Sequence, residues 1–274
     1  MVKRMNEATS LMQRIASKRV DVSHVSCWWL GGSGFIFKTP AGTVICLDPY
    51  LSNCVEDLFG MKRAFPTPIV PEELRADAII STHWHEDHLD PGSIPIIARN
   101  NPDTRFIMPP SAMARAMSWG LRRSQIVSFT PAEPVVLKDV TMEATPARHE
   151  AGVAGWEVPD AVGILLQIGK LKIYHSGDTE YDVRLRRLKS RRPDVAMLCI
   201  NGVSGNMDAY EAALLAWQLG AAEVIPMHHL LWANKNPKSE ETLDPLLFVH
   251  TYQRLGGTGH ALVPQVGEEI EFKW

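Results

Sequence analysis

Short apolar runs separated by turn residues fill the chain from residue 25 onward. The runs 27–30, 35–37 and 44–47 are divided by glycine- and proline-containing breaks, a pattern that predicts a β-meander. Before them, apolar positions at helical spacing predict an amphipathic helix over residues 5–19. The segment 51–71 contains three prolines and has no regular period, so we expect a long ordered loop there.

The rest of the chain continues to mix strands with helices. Strand candidates span residues 78–81, 126–129, 135–144, 163–168, 171–175, 195–200 and 224–227. A helix is predicted over 111–119, and a second one opens with the capping-box pair Asp208 and Glu211 and closes at Gly220. Because no fixed-period repeat or low-complexity linker interrupts the sequence, we expect a helical extension over residues 1–24 and one domain over residues 25–274.

Composition and charge argue against several classes of protein. Of the 274 residues, 45% are apolar and 22% are charged, which is a globular rather than a disordered composition. The 28 basic and 31 acidic residues give a net charge of −3, which argues against an extended basic surface and disfavours a nucleic-acid partner. No apolar stretch approaches the ~18 residues of a membrane span, so we expect no membrane partner. The four cysteines lack C-x-x-C spacing, and no signal-peptide pattern is visible, which predicts free buried thiols in a cytoplasmic protein.

Polar residues stand where several predicted strands end. The strand 78–81 leads into His83, His85, Asp87 and His88, and the strands 171–175 and 224–227 lead to Asp178 and to the pair His228 and His229. In an extended segment His83 and His85 point the same way, while the two residues beyond turn toward a neighbouring point. Burying three imidazoles and a carboxylate without an ion carries a large desolvation cost, so this cluster predicts a site for two adjacent metal ions.

Segment 82–88 resembles the signature of the metallo-β-lactamase superfamily. Three more segments, 47–50, 174–179 and 225–229, resemble further motifs of the superfamily in the same order. The fold that this resemblance implies is α/β, an αββα sandwich. Within the superfamily, segments 174–178, 225–232 and 264–267 are similar to the L-ascorbate-6-phosphate lactonase branch, and the similarity covers residues 25–274.

The resemblance also implies the ligands of two divalent ions. One ion would be held by His83, His85 and His149, the other by Asp87, His88 and His228, and Asp178 would bridge them. Imidazole and carboxylate ligands suit zinc, manganese or iron, and the relatives indicate manganese. Strand alternation lets only one residue of the pair His228 and His229 face the metals, and the superfamily pattern selects His228.

Substrate-binding candidates follow the last predicted strands. They are Asn201, His229, Trp232 and Lys235. Asn201 could orient a substrate oxygen or form a simple turn, and Trp232 and Lys235 could bind an anionic or hydroxylated substrate or lie in a solvated loop. Further candidates for binding an anion are Lys62, Arg63 and Arg148.

The predicted chemistry is hydrolysis of a small molecule. Two divalent ions about 3.5–4 Å apart would hold a hydroxide against a lactone carbonyl, and Asp87 would orient it and transfer a proton to the leaving oxygen. The resemblance implies a sugar-acid lactone, phosphorylated, as substrate, and a homo-oligomer. The same centre could instead cleave phosphodiesters, either cyclic nucleotides or RNA ends. A third alternative is a non-catalytic metal-binding assembly protein.

Overall fold

The computed structural model describes residues 9–233 and 244–274. Its strands are β1 (His24–Gly31), β2 (Gly34–Lys38), β3 (Val44–Leu47), β4 (Ala78–Ile80), β5 (Arg105–Met108), β6 (Ile126–Ser128), β7 (Val135–Leu137), β8 (Val140–Pro146), β9 (Val162–Ile168), β10 (Leu171–His175), β11 (Val195–Cys199), β12 (Glu223–Met227), β13 (His260–Ala261) and β14 (Glu269–Lys273). Its α-helices are α1 (Leu11–Ser17), α2 (Cys54–Phe59), α3 (Ile94–Asn100), α4 (Pro110–Ser118), α5 (Ala209–Leu219) and α6 (Pro245–Arg254), with 3₁₀ segments at Arg123–Gln125 and Val183–Arg191.

Within the described ranges the strands form two seven-stranded sheets. The first has the order β14-β1-β2-β3-β4-β5-β6, and the second has the order β13-β12-β11-β10-β9-β8-β7. Each sheet contains an antiparallel meander, β1-β2-β3 in the first and β7-β8-β9-β10 in the second. Each continues into parallel strands, β3 to β6 and β10 to β13. The antiparallel meander that the sequence predicts over residues 27–47 is therefore confirmed.

Strand alternation separates two layers of core. On β1, Val25 and Cys27 belong to the apolar cluster that also contains the inner residues of β9 and β10, so they lie between the sheets. The alternate residues Trp28 and Leu30 belong to a second cluster with α1, α3 and α4, which cover the outer face of the first sheet. Helix α5 packs on β11 and β12 and also contacts α6. The two helices cover the second sheet. The predicted αββα sandwich is confirmed.

Helix α1 packs on the outer face of the first sheet. Ser10 and Gln13 form a capping box at its start, and Leu11, Met12 and Ile15 are buried. The ammonium of Lys38, on β2, donates hydrogen bonds to the last carbonyls of the helix, Ile15 O at 2.7 Å and Ala16 O at 2.8 Å. The amphipathic pattern over 5–19 thus corresponds to a seven-residue helix, and residues 5–8 lie outside the described part.

Three local expectations differ from the structure. The predicted strand 135–144 is the hairpin β7-β8, which turns at Lys138, a residue with a φ of 52°. The expected loop 51–71 contains α2, which ends at Gly60 in the left-handed conformation. The segment 82–88 is not extended, because β4 ends at Ile80 and the chain then turns, with the amide of Leu89 donating to His85 O. The convergence of His83 and His85 therefore comes from a turn and not from strand alternation.

The state of the cysteines and the length of the helices agree with what the sequence predicts. All four cysteines, Cys27, Cys46, Cys54 and Cys199, are free and buried. Within residues 9–233 and 244–274, none of the helices has both the length and the apolar character needed to cross a bilayer.

Candidate metal centre

The site is built by loops that leave the carboxyl ends of five strands. Asp48 follows β3, the segment 83–88 follows β4, His149 follows β8, Asp178 follows β10 and His228 follows β12. Because these strands belong to both sheets, the two halves of the sandwich contribute to one cluster of imidazoles and carboxylates. Three groups of side chains bring their ligand atoms within 4.8 Å of one another: His83, His85 and His149; His83, His88 and Asp178; Asp87, His88 and His228.

The first group consists of three imidazoles. Nε2 of His83 and Nε2 of His149 each lie 3.0 Å from Nδ1 of His85. Two nitrogen ligands about 2.05 Å from one tetrahedral zinc ion would lie about 3.3 Å apart, close to these separations. All three side chains are buried or nearly so.

Hydrogen bonds at the far side of each ring indicate which nitrogen carries the proton. His85 Nε2 lies 3.2 Å from the carbonyl oxygen of Trp156, and His149 Nδ1 lies 3.2 Å from the carbonyl oxygen of Gly205. A carbonyl oxygen only accepts, so each of these outer nitrogens is the donor. In a neutral ring the inner nitrogen, Nδ1 of His85 and Nε2 of His149, is then a bare lone pair directed at the centre.

The same assignment holds for His83. Thr82 Oγ1 donates to Asp48 Oδ2 at 2.7 Å, so it accepts from His83 Nδ1 at 3.0 Å and leaves His83 Nε2 unprotonated. Burial, followed by the neighbouring histidines, holds the pKa of His83 well below its ordinary value and lowers the pKa of His85 to about 4. The rings of His83 and His85 are therefore neutral at pH 7, and their inner nitrogens lie 3.0 Å apart, an arrangement that a bound cation would stabilise.

The second group combines Asp87, His88 and His228. His228 Nε2 lies 3.3 Å from Asp87 Oδ2 and 3.3 Å from Asp178 Oδ2. Burial acts to lower the pKa of His228, but Asp178 and Asp87 outweigh it and raise the pKa to about 10. Burial likewise acts to raise the pKa of Asp87, while His88 and His228 outweigh it and lower the pKa to about 2.

His88 supplies an unpartnered polar atom to this second group. Its Nδ1 lies 2.8 Å from Asp48 Oδ2, so the carboxylate accepts the proton of that nitrogen. Its Nε2 is buried and makes no hydrogen bond, although it lies 3.3 Å from Asp178 Oδ1. A buried nitrogen without a partner is costly, and a metal ion would satisfy it. The donor set of both groups therefore fits divalent cations.

Asp178 lies between the two groups. Its Oδ1 is 3.3 Å from His88 Nε2 and its Oδ2 is 3.9 Å from His149 Nε2. The side-chain amide of Asn206 donates to Asp178 Oδ2 at 2.6 Å and holds the carboxylate in place. The preceding Gly177 has a φ of 58°, and a Cβ there would lie 2.7 Å from the carbonyl oxygen of Val162, so the turn requires glycine.

Non-glycine residues in the left-handed backbone region occur around the site. Asp48, Glu150 and His228 have φ values of 39°, 48° and 58°. Such backbone costs on the order of 1–3 kcal/mol per residue and persists where the surroundings enforce it. For His228 the anchor is its amide, which donates to Gly32 O at 2.9 Å.

None of the described substrate-binding candidates belongs to a ligand group. The ring of His229 is buried beside Trp29, with centroids 5.0 Å apart, and Asn201 forms a β-bridge with Asp208. Trp232 packs edge-on against Tyr50 at 5.7 Å. Lys235 lies outside the described residues.

Two of the anion-binding candidates have intramolecular partners. The buried guanidinium of Arg63 donates to the carbonyl oxygens of Tyr50 and Ser52, and Arg148 Nε lies 3.3 Å from Glu180 Oε2. Lys62 is exposed, and the structure gives it no side-chain partner in the described part.

Asp48 and Asn206 are the residues of this site that the sequence did not single out. Asp48 had a signal, because it stands in the strand-ending segment 47–50 that resembles a superfamily motif. Asn206 had none, since it lies in an irregular turn, where an asparagine is common for local reasons.

Comparison with known proteins identifies the family. The profile of the beta-lactamase superfamily domain matches residues 48–229, which is 182 of the 274 residues. A protein of Salmonella paratyphi B named "Probable L-ascorbate-6-phosphate lactonase UlaG" is 26% identical over 84% of this chain and 77% of its own length.

Solved structures share the fold. Igni18, a metallo hydrolase of Ignicoccus hospitalis, has a TM-score of 0.69 at 23% identity and covers 92% of this chain and 99% of its own. Isothiocyanate hydrolase from Delia radicum gut bacteria has a TM-score of 0.71 at 18% identity and covers 91% and 100%.

The chain belongs to the metallo-β-lactamase superfamily. Together with the His and Asp clusters, this membership makes it a metal-dependent hydrolase, and the expectation of that class is confirmed. The similarity to the lactonase branch is confirmed as well.

Proposed function

We propose that this hydrolase opens lactones, adding water across the acyl C–O bond of a cyclic ester to give a hydroxy acid. The observation that carries the proposal is the convergence of buried imidazole nitrogens from His83, His85 and His149, 3.0 Å from one to the next, beside the His88 Nε2 that has no hydrogen-bond partner. We assign the first three residues to one divalent ion, the second group to another, and Asp178 to the position between them.

The chain's own residues have distinct tasks in this proposal. Divalent ions bound there would supply Lewis-acid polarisation of the ester carbonyl and a water of lowered pKa. Asp87 is partly exposed and, with its pKa lowered to about 2, ionised at neutral pH. Its Oδ1 would take a proton from the attacking water and return it to the ring oxygen that leaves. Asn206, through its hydrogen bond, would keep Asp178 from turning away.

A sugar-acid lactone is the substrate class that the similarity supports. The Salmonella relative carries a lactonase name and aligns with 84% of this chain. Recognition of a phosphate has weaker support, because Arg63 and Arg148 already have partners. Manganese or zinc would serve, since both accept imidazole and carboxylate ligands.

Phosphodiester hydrolysis is the second candidate, and one surface feature favours it. The 3₁₀ helix Val183–Arg191 and its cap carry exposed cations at Arg186, Arg187, Lys189 and Arg192, and also at Arg184 and Arg191, which pair with Asp182 and Glu143. Such a cluster attracts phosphates even though the net charge of the chain is −3.

The deciding experiment is a pH-stat measurement of acid release. Manganese-loaded protein and EDTA-treated protein are each given glucono-δ-lactone and, separately, a 2′,3′-cyclic nucleotide. Release from the lactone that needs the metal supports the proposal. Cleavage of the cyclic nucleotide alone would support phosphodiester hydrolysis instead. No turnover of either substrate, or of an alkyl-substituted lactone, at full metal occupancy would favour a non-catalytic metal-binding protein.

A further inference from the structure

Exposed apolar side chains are concentrated on two segments that meet. Of the 17 large apolar side chains that are exposed in the described residues, five come from positions 58–61 and 153–156: Leu58, Phe59, Met61, Val153 and Trp156. The rings of Phe59 and Trp156 are in contact, with centroids 5.7 Å apart. A contiguous exposed apolar patch on a folded protein commonly marks a binding surface.

This patch borders the candidate metal centre. The ring of Trp156 lies 5.8 Å from the ring of His85, and the carbonyl oxygen of Trp156 accepts the hydrogen bond from His85 Nε2 at 3.2 Å. The backbone of Trp156 is therefore fixed to a candidate ligand, while its side chain remains 43% exposed. Phe59, from the end of α2, is 45% exposed and adds a second ring to the aromatic surface through its contact with Trp156.

The charges on the same two segments disfavour an anionic occupant. Residues 56–62 and 150–157 carry four carboxylates and one ammonium, contributed by Glu56, Asp57, Glu150, Glu157 and Lys62. A phosphate beside Trp156 would meet net negative charge, whereas an uncharged alkyl or aryl group would bury apolar surface against both rings.

We infer that Phe59 and Trp156 form an aromatic wall that binds an uncharged apolar substituent of the substrate and sets the specificity of the enzyme. The inference rests on the proposed lactone hydrolysis, and within it the wall favours lactones with an alkyl or aryl substituent over the polar sugar-acid lactones that the similarity supports. In the reaction the substituent would pack on the wall while the ester lies at the metal centre beside His85. Binding of a substituent that lies away from the reacting carbon changes the preference of an enzyme between substrates with and without that substituent.

The test compares γ-decalactone, which carries a hexyl chain, with unsubstituted γ-butyrolactone. The wild-type protein should prefer γ-decalactone in kcat/KM by a factor of ten or more. Trp156→Ala and Phe59→Ala should each lower kcat/KM for γ-decalactone by roughly tenfold and leave γ-butyrolactone within about twofold. Trp156→Phe should restore most of the preference, because it keeps an aromatic ring.

Trp217→Ala is the matched control. Trp217 is 46% exposed, on α5, and lines a different cavity with Arg186, Lys189 and Gln218. The variant should leave both lactones unaffected. Metal content is measured in every variant. It should not change in the Trp156 variants, because each of them retains the backbone carbonyl that contacts His85.

A binding measurement separates this inference from the proposed function. Calorimetric titration of 5-hexyl-2-pyrrolidinone, a lactam that resists hydrolysis, should show saturable binding that weakens roughly tenfold in Trp156→Ala. Binding of the lactam without turnover of either lactone would reject lactone hydrolysis while retaining the apolar wall. Equal losses of kcat/KM for both lactones in Trp156→Ala, or no lactam binding to an active enzyme, would overturn the assignment of Phe59 and Trp156 as a substrate-binding wall. So would a dimer in light scattering that becomes a monomer in Trp156→Ala, since the patch would then contact a second copy of the chain.

Discussion

The carboxylate of Asp48 lies 2.8 Å from His88 Nδ1 and also accepts the hydroxyl of Thr82, which in turn accepts from His83. One buried carboxylate thus fixes the ring orientation of a histidine in each ligand group. Its other oxygen accepts a hydrogen bond from the backbone amide of Thr82 at 2.7 Å, so the carboxylate is anchored to the residue that precedes the ligand segment 83–88. Outer hydrogen bonds of this kind set the tautomer and basicity of metal-ligating histidines.

Asp48→Asn should therefore lower metal affinity without changing any proposed ligand. The amide places a donor where either His88 or Thr82 also donates, so one of these contacts is lost. We expect metal affinity to fall by about 10–100-fold, measured by competition with a chromogenic chelator. The control is Asp182→Asn, at a carboxylate that pairs with the exposed Arg184. Unchanged affinity of both ions in Asp48→Asn would mean that the carboxylate has no part in orienting the rings.

Removal of a ligand should empty the centre while the fold survives. His83→Ala and Asp178→Ala should each abolish hydrolysis and lower the metal content measured by mass spectrometry of the protein-bound ions. Circular dichroism should stay close to wild type, because both side chains lie at loop positions beyond the strands. His250→Ala, at an exposed helical position, is the control that should keep metal and activity. Full activity in either ligand variant would remove that residue from the proposed set.

The metal-free protein should be most stable near pH 6.5. The pKa of His85 falls from its ordinary 6.5 to about 4 in the folded chain, so between these values only the unfolded chain takes up the proton, and stability falls as the pH drops. At about 1.4 kcal/mol per pKa unit, His85 alone contributes a loss on the order of 3 kcal/mol by pH 4. The pKa of His228 rises to about 10, so the stability that its protonated ring contributes is lost as the pH rises from 6.5 to 10.

Urea unfolding of EDTA-treated protein across pH 4.5–9 measures this dependence. His85→Gln should flatten the acid side of the profile, and His228→Gln should flatten the alkaline side. A wild-type profile that is level across this range would show that neither ring titrates differently in the folded and unfolded chain.

Much of this architecture could be predicted from the sequence, and the exceptions have physical causes. Helix α5 follows from Asp208, Glu211 and Gly220, which cap it as their positions along the chain indicate. The ligand segment 83–88 could be identified from its residue types. Its turn could not be predicted, because six polar and aromatic residues show no hydrophobic periodicity. Helix α2 was missed because only six residues form it, in a segment that contains three prolines, and Gly60 ends it.

Contacts between distant segments had no sequence signal. The hydrogen bond from Asn206 to Asp178 spans 28 positions, and the contact between Phe59 and Trp156 joins the end of α2 to a distant turn. Neither pair has a spacing or a motif of its own, so only the folded chain reveals that they meet.

We expect Asp90 to be the main polar residue that holds the end of the ligand segment 83–88 in place. Its buried carboxylate accepts the amides of Leu51 and Ser52 at 2.9 and 2.7 Å and the hydroxyls of Ser52 and Ser93 at 2.5 Å each. These bonds hold the chain that follows Asp48 against the end of the ligand segment 83–88. In Asp90→Asn one acceptor becomes a donor that faces other donors, so we expect a loss of about 2–4 kcal/mol in the free energy of unfolding.

Asp160→Asn provides the comparison for Asp90. Asp160 is only half-buried and accepts from the amide and hydroxyl of a single residue, Ser111, at 2.8 and 2.5 Å. Its substitution should cost about 1 kcal/mol, because fewer bonds are lost and water can reach the amide. Both variants are measured by urea unfolding with the metal bound. Because the Asp90 carboxylate also holds the backbone next to Asp48, Asp90→Asn should weaken metal binding in the same samples, whereas Asp160→Asn should not. Equal stability losses in the two variants, with metal affinity unchanged, would contradict the role of Asp90 as the anchor.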